Sequence, residues 1–249
     1  MQQPYIFKKQ LVALFATIFF LLFILFFYPN HTLITLTLVY IFIILGLTLI
    51  PSLPRIIKYP LWLHLIIYEA PFWTTIFFLP KETQIILNKN FFITTCISGV
   101  FTFLILFIGK KEYLNNINGI NTEIPITTKN FLFETLNLCF AAICEEICFR
   151  AFFISYFNII VGKTGILISA ALFTLTHYLN RWANKNFTTK IYCMQFLLGI
   201  VLGTAFYLTH CITLTIILHL LFNSSQFIVL IKRLRAHKAC NTPLFNDYD

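Results

Sequence analysis

Apolar runs separated by short polar breaks set the rhythm of this 249-residue chain. About eight runs approach the ~20 residues that a helix needs to cross a bilayer. They lie near 10–28, 32–50, 61–79, 91–108, 138–158, 163–180, 190–209 and 211–231, the third interrupted by Glu69 and Pro71. The pattern predicts an all-α polytopic membrane protein of about eight transmembrane helices. The longest polar stretch, 110–130, is rich in Asn and Thr and contains Gly119 and Pro125. It reads as a cytoplasmic linker between four N-terminal helices (1–109) and a C-terminal four-helix core (131–231), which a basic tail (232–249) follows. Residues 131–137 extend the fifth helix below the membrane surface, and the halves share no repeat.

Composition strengthens the membrane reading. The chain is 59% apolar and 11% charged, whereas soluble domains carry about 45–50% apolar and about 25% charged residues. A net charge of +9 raises the question of nucleic acid, but no basic patch interleaved with aromatics supports it. The cations sit in short loops and set topology instead. With Lys8 and Lys9 inside, alternate loops and the tail gather fourteen Lys and Arg on one side and leave Lys81, Lys89 and Lys163 on the other. By the positive-inside rule both termini are cytoplasmic. Frequent Asn, Ile, Lys and Phe point to an AT-rich genome and a bacterial plasma (inner) membrane. Seven cysteines without a C-x-x-C indicate neither a disulfide framework nor a zinc knuckle. Leu11–Phe27 exceeds the apolar region of a signal peptide and lacks a small-residue cleavage site.

One apolar run contains what its cost argues against. Glu145, Glu146 and Arg150 lie between Leu138 and Ile160, and a charge at a helix centre costs about 2.5–3.5 kcal/mol on insertion scales. Glu146 and Arg150 are four apart and pair along one face. Glu145 is turned by about 100° and needs a partner from another helix. Cys144 and Cys148 beside them read as small packing residues. Two later spans offer polar faces: Phe173 with His177, and His219 with Asn223, each four apart. At ~1.5 Å per residue from the cytoplasmic ends, His177 lies about 5 Å in, Glu145 about 10 Å, Asn223 about 12 Å and His219 about 18 Å. All four fit one chamber open to the cytoplasm. In the N-terminal half only Glu69 and His64 are titratable within spans.

Glu145-Glu146-x-x-x-Arg150, Phe173-x-x-x-His177 and His219-x-x-x-Asn223, in that order on successive late spans, resemble the CPBP family. That family comprises type II CAAX prenyl endopeptidases and related bacteriocin-processing and immunity membrane proteins. The resemblance covers roughly 134–228, and the first four spans add nothing specific to it. It implies a glutamate-dependent intramembrane endopeptidase acting on a membrane-anchored, lipidated or secreted polypeptide. Glu145 would be the base that activates water, His177 would help hold that water, and His219 and Asn223 would donate to the oxyanion. Glu146 and Arg150, with Phe173, would support them from behind. The implied mechanism is metal-free. Zinc is the alternative, since Glu145, His177 and His219 are two His and one carboxylate, but no H-E-x-x-H places two ligands and a base on one helix. Two other classes stay open: a non-catalytic immunity or scaffold protein, and a proton-coupled transporter.

Overall fold

The computed structural model describes residues 4–49, 61–79, 91–118, 125–180 and 187–241. Among them every regular element is helical. The first four helices are α1 (Pro4–Phe27), α2 (His31–Leu49), α3 (Leu61–Trp73) and α4 (Phe91–Asn118). Next come α5 (Thr128–Glu146), a π-helical segment (Ile147–Ile154) and α6 (Ser155–Val161), then α7 (Gly165–Leu179), α8 (Thr189–Thr209), α9 (Ile212–Phe222) and α10 (Ser224–Asn241). Cations Arg55, Lys58, Lys81, Lys89, Arg181 and Lys185, on which much of the topology rests, lie outside the described residues, as do 119–124 and the tail beyond Asn241.

Each predicted run holds a helix, but they are not eight uninterrupted spans. Three stretches among the described residues are long and apolar enough to cross a membrane: Phe91–Gly109, Thr128–Leu179 and Thr189–Thr209. The bent pair Ile212–Phe222 and Ser224–Ala239 makes a fourth if counted as one. Leu11–Phe27 and His31–Leu47 are shorter apolar helices. The chain is an all-α polytopic membrane protein. Where the third run was expected to break at Glu69 and Pro71, α3 continues through both and gives way after Trp73 to a 3₁₀ turn, Thr74–Phe78. At the other end of the half, α4 runs on to Asn118, so the linker expected from residue 110 begins as helix.

The 52-residue stretch Thr128–Leu179 is a hairpin. Gly162 adopts φ 61°, a conformation that costs glycine little and most residues more. The chain folds back there, so that Gly165 lies against Phe157 and the Ser169 hydroxyl donates to the Phe149 carbonyl at 2.7 Å. Phe149 belongs to the π segment, whose i→i+5 turns are rare and concentrate at functional sites. Around that segment gathers one apolar cluster, with contributions from α1, α2, α3 and α7. Phe149 stacks on Phe153 at 5.7 Å and Phe153 on Phe157 at 5.7 Å. A second cluster joins α8 and α9 to Ile105 of α4. On the outside, Phe15, Phe19, Phe20, Phe23 and Phe26 of α1 stay exposed, as suits a lipid-facing helix.

Candidate active site

Glu145 and Glu146 are the last two residues of α5, at the junction where the wider π turns begin. The junction separates their environments. Glu146 is fully buried and its Oε2 lies 3.2 Å from Arg150 Nε, the pair that the i,i+4 spacing predicts. The N–H is not aligned for a hydrogen bond, so the contact is an ion pair without one. Arg150 is itself 1% exposed, and its guanidinium carbon lies 4.7 Å from the centre of the Phe173 ring. The aromatic face thus supplies electrostatic attraction where, among the described residues, Nη1 and Nη2 meet no acceptor.

The second oxygen of Glu146 reaches another helix. Its Oε1 accepts from His219 Nδ1 at 2.8 Å, joining α5 to α9 through a charge-assisted contact in a buried setting. His219 is therefore turned so that Nε2 faces Glu145 Oε2 at 3.7 Å. On the opposite side, His177 Nε2 lies 3.8 Å from Glu145 Oε1. His177 Nδ1 is 3.0 Å from the Phe173 carbonyl. A carbonyl only accepts, so Nδ1 carries the hydrogen and the neutral ring presents a lone pair at Nε2. Glu145 and His177 are each 15% exposed at the side chain, the most open members of the group. Phe173 packs against both rings, 4.5 Å from His177 and 6.0 Å from His219.

The chamber expected from sequence is thus largely assembled: Glu145, Glu146, Arg150, Phe173, His177 and His219 meet from α5, the π segment, α7 and α9. Asn223 is nearby but plays a different visible part. It is buried at the break between α9 and α10, where the chain bends by 49°. Its backbone N–H donates to the His219 carbonyl, and its own carbonyl accepts from Gln226 and Phe227. Among the described residues its side-chain amide makes no hydrogen bond to Glu145. The bend also explains why a straight span from Ile231 placed His219 too deep relative to Glu145: the helix axis does not run directly to the surface.

Four features of the site escaped the sequence patterns. The π segment has no signature in ICFRAFFI. Helices α2 and α3 dock on the site: Tyr40 donates to the Leu172 carbonyl at 3.0 Å, Phe72 packs 6.0 Å from Phe149, and the Asn180 amide donates to the Tyr68 hydroxyl. Glu69, 2% exposed, lies within electrostatic reach of Glu145. Its signal was present, a carboxyl inside an apolar run, but no partner spacing gave it a place. The side chain of His64 lies outside the described ones. Finally, a groove of about 630 Å³ between α7 and α8 is lined by Tyr178, Phe187 and Tyr192 among others. Phe187 stacks on His177 at 6.3 Å, so the groove runs up to the chamber.

Fold and site define a helical membrane protein with a glutamate–histidine chamber braced by a buried ion pair. Residues 127–225 match the family described as Type II CAAX prenyl endopeptidase Rce1-like. Over this segment, less than half of the chain, the sequence is similar to that family. No curated protein and no solved structure matches the chain.

Proposed function

We propose that this protein is an intramembrane endopeptidase in which Glu145 activates the attacking water. One observation carries the reading. The Glu145 carboxylate lies between the Nε2 atoms of His177 and His219 at 3.8 and 3.7 Å, beyond direct hydrogen bonding and near enough for a water held among them. One O–H of that water donates to Glu145, the other to the His177 lone pair. As the water oxygen bonds to the scissile carbonyl carbon, its proton passes to Glu145 and the carbonyl π pair moves onto oxygen. His219, held by Glu146 and donating from Nε2 when its ring carries both protons, stabilises that oxyanion together with the Asn223 amide. Breaking of the C–N bond then takes the proton from Glu145 to the leaving nitrogen, and the base is restored.

The reaction as written uses no metal. Its substrate is a membrane-anchored, lipidated or secreted polypeptide, and the groove between α7 and α8 supports an approach from within the bilayer. The protein is assigned to a bacterial plasma membrane on its Asn-, Ile-, Lys- and Phe-rich composition, with both termini cytoplasmic on the cation split. A reporter fused at Leu114 reads cytoplasmic; a periplasmic signal there reverses the topology.

The decisive experiment assays purified protein in detergent on a farnesylated peptide ending in a CAAX tetrapeptide, with products followed by mass spectrometry. Glu145→Gln lowers turnover by about 10²–10⁴-fold, the usual cost of a lost general base, while melting stays near that of the unsubstituted protein. Cleavage persists in strong chelator; loss restored by zinc sinks the metal-free step. Full biological function in Glu145→Gln puts the immunity or scaffold role in place of the enzyme.

A further inference from the structure

A carboxyl group that the reaction above does not use is buried within electrostatic reach of Glu145. Glu69 comes from α3, outside the segment that matches the family. The helix is fixed at this level by Phe72 against Phe149 and by Tyr68 beneath the Asn180 amide. Glu69 is 2% exposed, and its Oε2 is buried without a hydrogen-bond partner. Among the described residues no Lys, Arg or His forms an ion pair with it. Its electrostatic neighbours are Glu145, Tyr68 and Cys144, none of them cationic.

The charges around the chamber are already committed. Arg150 pairs with Glu146. His219 Nδ1 is held by Glu146 and His177 Nδ1 by the Phe173 carbonyl, and both Nε2 atoms face Glu145. A second carboxylate, buried without an ion-pair partner and within electrostatic reach of Glu145, would bear both the desolvation cost and like-charge repulsion. A protonated carboxyl avoids both, and it becomes an O–H donor. Close carboxyls commonly share one proton for this reason.

We propose that Glu69 is a positioning residue for the catalytic base, a protonated carboxyl whose O–H is offered toward the Glu145 carboxylate so that the two carry one proton between them. This rests on the reading of Glu145 as base. It makes α3 part of the working site, although α3 carries no family motif.

Two measurements test it. The first needs no substrate: infrared spectra of the purified protein in detergent at neutral pH. The C=O stretch of a protonated carboxyl is expected in the unsubstituted protein and in Glu145→Gln, and is lost in Glu69→Gln. Absence of the band from the unsubstituted protein, or its persistence in Glu69→Gln, overturns the proposal. The second follows turnover of the farnesylated peptide against pH. Glu69→Gln keeps a donor, so turnover stays close to normal and the acid limb does not move. If Glu69 were charged, its loss would ease ionisation of Glu145 and move that limb to lower pH. The other titratable or charged groups facing the pair are Glu146, Arg150, His177, His219, Tyr68, Cys144 and Cys148, all unchanged in these variants. Glu69→Leu removes the donor and lowers turnover roughly 10- to 100-fold, as for a lost hydrogen bond to a charged group, while its melting temperature is unchanged or higher. Full turnover in Glu69→Leu sinks the proposal and leaves the protease reading standing. The band without any cleavage by the unsubstituted protein sinks the protease reading and leaves the carboxyl pair.

Discussion

Helices α1–α4 and the matched segment 127–225 draw on the same apolar alphabet and place their polar groups differently. In 127–225 the buried charges come as a set: Glu146 holds Arg150 at 3.2 Å and His219 at 2.8 Å, and Glu145 faces two imidazoles. In α1–α4 and the 3₁₀ turn after α3, buried polarity is mostly hydroxyl: Thr37, Thr75, Thr94, Ser98 and Thr102. Thr94, Ser98 and Thr102 recur every four residues along α4, and such small polar groups let membrane helices approach closely without a charge to neutralise. Glu69 is the exception among the described N-terminal residues. The difference teaches how a family becomes recognisable. Buried charges force partners at fixed spacings, whereas a hydroxyl can satisfy itself on the preceding turn, as Thr95 does on Phe91, or be left without a hydrogen bond at small cost, as Thr102 is among the described residues.

The largest effect should come from separating the two adjacent glutamates. Glu146→Gln leaves Arg150 and His219 facing a neutral amide in a fully buried position. Removing one partner of a buried pair costs about 3–5 kcal/mol. We expect low yield and a melting temperature several degrees down, whereas Glu145→Gln melts normally. Equal melting of the two variants would mean that the ion pair does not brace the site, and the contrast between an open base and a buried brace would fall.

Legibility followed the same division. Glu146 and Arg150 could be paired from spacing, and Glu145, His177, His219 and Asn223 grouped from spacing and depth, because each charged or imidazole group in an apolar span needs a counterpart; the supporting place of Phe173 came only with the family resemblance. Helix placement was legible from apolar run length. The breaks were not. Nothing in ICFRAFFI distinguishes π turns from α turns, since the choice follows from how Phe149, Phe152 and Phe153 pack against α2, α3 and α7. The bend at Asn223 was equally hidden, because Asn is tolerated both inside a helix and at its end. Docking of Tyr40 and Tyr68 depends on which faces of α2 and α3 meet α7, and a nearly uniform apolar helix carries no stripe from which to read it.

A smaller effect tests whether geometry in the core depends on close backbone packing. A Cβ on Gly199 of α8 would lie 2.9 Å from the Ala170 Cβ and 3.0 Å from its Cα. The Ala170 backbone cannot yield as a flexible side chain would. Gly199→Leu should therefore push α7 from α8 and cost about 1–3 kcal/mol by overpacking. Because His177 rides on α7, turnover should fall along with the melting temperature, which separates this variant from a lipid-facing control such as Leu197→Ala.

The smallest effect bears most directly on the N-terminal half. Tyr40 of α2 is 1% exposed, and its hydroxyl reaches the Leu172 carbonyl at 3.0 Å and Thr176 Oγ1 at 3.2 Å. Leu172 and Thr176 flank Phe173 and His177 on α7, so this contact ties an unmatched helix to one that carries a site residue. Thr176 already donates to the same carbonyl at 2.8 Å, so Tyr40→Phe leaves that acceptor satisfied. The loss should be about 0.5–1.5 kcal/mol, the net worth of an ordinary hydrogen bond. A domain of this size moves about 2–4 °C per kcal/mol, so a shift of a few degrees in detergent is expected, with turnover retained. An unchanged melting temperature would show that α2 is held by its apolar face alone. A fall in turnover without a fall in melting would place α2 inside the catalytic machinery, and the division between a motif-bearing core and a merely supporting N-terminal half would no longer hold.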